Sequence, residues 1–88
     1  MILPPKIIKL VKPGSPRIAR RAHIEGKVKL AIQIDENGNV ISARVLKGLG
    51  AGCDESAMEA ACQCKFLPAS RKGTSIKAWV EYTVIYKL

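Results

Sequence analysis

The stretch "KVKLAIQIDENGNVISARVLK", Lys27 to Lys47, decides the fold. Its first half alternates. Val28, Leu30, Ile32 and Ile34 point one way and Lys27, Lys29, Ala31 and Gln33 the other, the pattern of a half-buried strand. Asn37-Gly38 then gives the signal of a tight hairpin, because the central residues of such turns adopt positive φ. "VISARVLK" returns, with Ile41, Ala43 and Val45 predicted on one face and Ser42 and Arg44 on the other. The adjacent carboxylates Asp35 and Glu36 read as turn residues, not as an acid–base pair.

Working outward, Ser15-Pro16 is a helix start, with Ser15 as N-cap and Pro16 at the first helical position. The predicted helix "PRIARRAHIE" puts Ile18, Ala19, Ala22 and His23 on one side and Arg17, Arg20 and Arg21 on the other, and Gly26 stops it. Residues 1–14 read as an extended, basic, Pro-containing lead-in, and residues 15–88 as the folded domain. Within the lead-in "IIKLV" is either a short strand or an extended arm. Beyond the hairpin, "GLGAG" is a flexible loop and a second helix runs from about Asp54 to Lys65. Pro68 is its stop and Lys72-Gly73 a turn. The last strand, "SIKAWVEYTVIYKL", is long. Ile76, Ala78, Val80, Tyr82, Val84 and Tyr86 form one face, and Lys77, Trp79, Glu81, Thr83, Ile85 and Lys87 the other. The order helix, strand, strand, helix, strand implies an α+β fold, with two helices packed on a three-stranded antiparallel sheet. The final strand must pair with a hairpin strand, but the pattern does not say which.

The totals narrow the function. Eighty-eight residues make one domain with a thin core. A net charge of +8 suits an anionic partner, whether nucleic acid, membrane face or acidic protein. No apolar run is long enough to span a bilayer, and no signal peptide is visible. All three cysteines lie in "CDESAMEAACQCK", Cys53 to Lys65. On a helix Cys53 and Cys64 stand roughly 16 Å apart, too far for a disulfide, whose Cα atoms lie within about 7 Å. A metal site wants about four ligands, and the lone His23 has no evident place near the thiols. Cys53, Ala57, Ala60, Ala61 and Cys64 instead make an apolar stripe at helical spacing, with Cys62 on the polar side. "GLGAG" lacks the Lys-Ser/Thr of a phosphate loop, and Asp54-Glu55 after it would repel phosphate. No catalytic residues, metal ligands or cofactor site emerge. The long last strand is the better lead, since an open sheet edge invites another strand. The competing reading is a plain sheet member blunted by Lys77, Glu81 and Lys87.

The ordered set Pro16, Ile24-Glu25-Gly26, Val28, Asp35…Gly38…Val40, Asp54-Glu55…Ala57…Ala60 and Phe66…Pro68-Ala69 resembles the C-terminal periplasmic domain of the TonB energy transducers. The resemblance covers about residues 13–88 and implies the same α+β fold. It implies no enzymatic activity and no cofactor. It implies a periplasmic module, anchored to the inner membrane through an N-terminal segment that these residues do not contain. Its partner would be the TonB box of an outer-membrane transporter, added as a strand beside the last strand, and energy would come from an inner-membrane proton-driven motor. By position the binding strand is Lys77, Ala78, Trp79, Val80, Glu81, Tyr82, Thr83, Val84, Ile85 and Tyr86. Arg17, Arg20 and Arg21, with Lys77, would supply charge complementarity. A homodimer by strand exchange is a further expectation. The alternatives are an envelope interaction module of TolA-like type and a basic nucleic-acid-binding domain, the latter not favoured.

Overall fold

The computed structural model describes residues 1–14 and 16–87. In chain order it holds β1 (Ile2–Leu3), β2 (Lys6–Lys9), α1 (Arg17–Arg21), β3 (Gly26–Ile34), β4 (Val40–Lys47), α2 (Cys53–Gln63), β5 (Lys65–Leu67), β6 (Ala69–Arg71), β7 (Thr74–Ile76) and β8 (Ala78–Tyr86). The fold is α+β, with antiparallel pairing throughout. The main sheet runs β4-β3-β8, beside a three-stranded β1-β6-β7 sheet and a two-stranded β2-β5 ribbon. A single three-stranded sheet in helix-strand-strand-helix-strand order is therefore too simple a description.

The core follows the alternation of β3. Val28, Leu30, Ile32 and Ile34 are fully buried, and α2 presses Cys53, Ala57 and Ala61 against the same cluster. Small side chains along α2 let its backbone lie close to the sheet. The hairpin turn is a local hydrogen-bonded knot. Asp35 Oδ1 accepts from the backbone N–H groups of Asn37 and Asn39, each at 2.9 Å. Gly38 has φ +83°, and a Cβ there would collide with the Phe66 carbonyl oxygen, so this position needs glycine twice over. Phe66 donates its N–H back to the Gly38 carbonyl at 3.0 Å, docking the turn on β5.

Several expectations change. On β4 the register slips between Gln33 and Ile34, leaving Ile41 without a partner position. This bulge turns Ile41 outward, 48% exposed, and brings Val40 inward to join Ala43 and Val45 against the core. The first helix is five residues, not ten, and Ile18 faces solvent while Ala19 alone of it is buried. Its stop is His23 at φ +54°, not Gly26. The Ile24 N–H reaches the Ala19 carbonyl and the His23 N–H the Arg20 carbonyl, the two bonds of a Schellman motif. Pro16 stands at the N-cap position, and Ser15, the expected cap, lies outside the described residues. The second helix ends at Gln63, where Cys64 turns extended with ψ 154°. Pro68 separates β5 from β6 and does not stop a helix. Lys72 and Gly73 do form a turn, both at positive φ, as the β6-β7 hairpin requires. Finally, the long last strand is broken at Lys77: Thr74–Ile76 pairs with β6 and Ala78–Tyr86 with β3.

Candidate functional site

β8 is held from one side. Nine consecutive partner pairs, Gly26↔Tyr86 to Ile34↔Ala78, zip it to β3 without a bulge. Its other side carries no strand among the described residues, so β8 is an edge of the main sheet. That edge presents a row of backbone donors and acceptors over nine residues. This settles which hairpin strand the last strand joins: β3, the first of the two.

The side chains of β8 divide as their alternation requires. Val84 and Tyr86 are buried in the core, and Val80 and Tyr82 pack partly against it. The Tyr86 hydroxyl donates to the Cys53 carbonyl at 2.9 Å, tying the end of β8 to the start of α2. Burial pushes the Tyr82 phenol from 10.0 up to about 12, aided by the Cys64 thiol beside it. Trp79, Glu81, Thr83 and Ile85 face solvent. Across the outer face, Arg44 of β4 sits 5.4 Å from the centroid of the Trp79 ring, a cation–π pair that spans β3. Register explains its reach: Arg44 lies opposite Ala31, whose methyl leaves the path across β3 open. Lys29 and Glu81 form an exposed ion pair at 3.7 Å.

Beside the second half of this edge lies a groove of about 510 Å³. Residues 82–87 line one side, and the chain segment Leu10–Pro13 lines the other. Two contacts fix that second wall. The Val11 N–H points at Cys64 Sγ at 3.5 Å, and the Gly14 carbonyl accepts from Ser56 Oγ at 3.0 Å. From sequence, Leu10–Pro13 reads only as part of the extended lead-in. The apolar pair Leu10-Val11 just ahead of Pro13 was the available signal, but its partners lie more than forty residues away.

Of the residues named from sequence, Ala78 to Tyr86 form β8, whereas Lys77 occupies the break before it. Arg17, Arg20 and Arg21 are exposed on α1 and line no part of the groove; its cations are Lys12 and Lys87. Cys53 and Cys64 are buried and Cys62 is exposed, all as free thiols. Desolvation raises the Cys53 pKa, with the charges of Asp54 and Glu55 adding to it, so this thiol is a core group and not a nucleophile. Asp54 accepts from the Leu49 N–H at 2.8 Å and so organises the loop before α2. No group of three His, Cys, Asp or Glu among the described residues is placed to hold a metal. No helix among them is long and apolar enough to cross a membrane.

These features define a small α+β module whose main antiparallel sheet has an open edge at β8 with a groove along it. The chain belongs to the family of Gram-negative bacterial TonB protein C-terminal domains, whose model matches residues 12–88. It is 38% identical over 79 residues to Protein TonB of Vibrio cholerae, covering 89% of this chain and 32% of that protein. The chain thus spans about a third of the length of this relative. Its fold is that of the Pseudomonas aeruginosa TonB C-terminal domain solved in solution by NMR, with a TM-score of 0.75 at 24% identity, over 96% of this chain and 86% of that one. Domains of this family are non-catalytic.

Proposed function

We propose that this domain captures the TonB box of an outer-membrane transporter as an added strand on the free edge of β8. In this reading it works in the periplasm and passes on energy from an inner-membrane proton-driven motor, to which a segment outside these residues connects it. The observation that carries the reading is that, among the described residues, β8 pairs with β3 alone, over nine residues, beside an open groove. Backbone groups along the edge give affinity to any extended segment, and neighbouring side chains give selectivity. Val84 and Tyr86 are committed to the core, so they contribute through the backbone alone. Trp79, Glu81, Thr83 and Ile85 are free to touch the guest from the outer face, and Lys12 and Lys87 attract an acidic residue in it. Arg17, Arg20, Arg21 and Lys77 add charge that steers the approach. Strand exchange with a second copy would use the same edge and therefore compete with the peptide.

Proline substitution along β8 tests the mechanism. Successive residues of an edge strand aim their N–H groups alternately at the neighbouring strand and at the open side. Proline removes that donor. Among single variants at Val80, Glu81, Tyr82 and Thr83, one parity should break the β3 ladder and unfold the domain. The other parity should stay folded by circular dichroism and lose peptide affinity by about tenfold or more, as expected for one or two lost hydrogen bonds. If every folded proline variant still bound the peptide as the parent does, strand addition on β8 would be wrong.

A further inference from the structure

We propose that the strands β1, β2 and β5 to β7 form a basic, apolar arm that docks on an anionic lipid surface. Charge is distributed unevenly over this molecule. Residues 1–14 and 65–77 hold seven Lys and Arg and no Asp or Glu. The remaining residues hold eight basic and seven acidic groups and are nearly neutral. Almost the whole net charge of +8 therefore sits on these two segments, and Lys6, Lys9, Lys65 and Arg71 lie within the strands of the arm.

The same strands expose aliphatic side chains: Ile2 at 59%, Leu3 at 53%, Ile8 at 63% and Leu67 at 54%. Only Phe66 from these five strands enters the core cluster. Register mixes the two kinds of group on shared faces, since cross-strand partners lie side by side. Lys6 stands beside Leu67, and Ile2 beside Arg71. Exposed aliphatics between cations are the composition that a bilayer interface selects. The ammonium and guanidinium groups meet phosphates while the apolar groups enter the acyl boundary. A nucleic acid answers the charge but not the aliphatics, and the only aromatic of these segments, Phe66, is buried and cannot stack on a base. A second copy of the arm is repelled by its own charge.

Vesicle flotation of the 88-residue chain tests this. Vesicles of mixed phosphatidylglycerol and phosphatidylcholine should retain the protein at least about tenfold better than phosphatidylcholine alone. The variant Lys6→Gln/Lys9→Gln/Arg71→Gln should bind the anionic vesicles about a hundredfold more weakly, because each cation near such a surface contributes roughly fivefold. Ile2→Ser/Ile8→Ser/Leu67→Ser, which keeps the charge, should bind about tenfold or more weakly. Lys27→Gln/Lys29→Gln/Lys47→Gln removes the same charge from the main sheet and should change binding by no more than about threefold, since salt screens charges that do not touch the surface. All substituted positions are exposed, and an unchanged circular dichroism spectrum reports a retained fold. Equal binding to neutral vesicles would overturn the proposal. So would equal losses in the arm and main-sheet charge variants. Single-stranded DNA bound as tightly as the anionic vesicles, with no loss in the serine variant, would mark a polyanion site instead.

Discussion

Two tyrosines hold the edge strand by different means. Tyr86 is buried and donates its hydroxyl to the Cys53 carbonyl. Tyr82 is half-buried against Cys64, and its pKa rises to about 12. That shift sets a pH dependence. Below about pH 10 the phenol is protonated in folded and unfolded chains alike, so its contribution to stability is fully present. As pH rises from 10.0 towards about 12, the unfolded chain loses the proton first and stability falls. Cys53 and Tyr86 shift in the same direction and add to the loss. The urea midpoint should therefore drop through this alkaline window, and Tyr82→Phe should drop less steeply. A midpoint flat across the window would show that the phenol is not desolvated.

At the scale of elements, α1 is a short helix whose end rests on a residue in a strained conformation. His23 adopts φ +54° to close the Schellman motif, a region where a Cβ costs about 1–2 kcal/mol. His23→Gly relieves that strain at an entropy cost of about 0.5–1 kcal/mol in the unfolded chain. A net gain of roughly 0.5–1 kcal/mol is expected in chemical denaturation, and His23→Val should lose stability. Gly26 was the obvious stop, but histidine also visits the left-handed region, and three bonds close the helix earlier. β3 was readable in full because alternation and burial agree residue by residue. On β4 a single extra residue, Ile41, reversed the face of its start, and no local signal marks such a bulge. Strand β5 and the β1-β6 pairing are not legible locally because their partners are distant, whereas Ser75-Ile76 of β7 reads as the start of the last strand. Lys65–Leu67 is extended through pairing with Lys6–Lys9 and with the hairpin turn, and neither appears in its own composition. The edge strand was legible as a long alternating run, but its break at Lys77 and the second wall at Leu10–Pro13 were not.

At the scale of the molecule, the domain is elongated. Its radius of gyration is 14.1 Å and its extents are 49 × 20 × 17 Å, whereas a compact chain of this length has a radius near 12 Å. Strands β1, β2, β6 and β7 add length without adding side chains to the core cluster. The molecule thus divides into a nearly neutral body with an open strand edge and a cationic, aliphatic arm. On our account the body binds a guest strand and the arm meets an anionic surface, so one variant set should leave the other property intact. The central claim is strand addition on β8. It is tested most directly by titrating the ¹⁵N-labelled domain with a transporter-derived TonB-box peptide and following amide shifts. Shifts should concentrate in Ala78–Tyr86 and in residues 10–13 across the groove, with α2 and β4 little changed. A folded sample showing no shifts at about millimolar peptide, the weak end of specific binding, or shifts confined to the β4 edge, would contradict it.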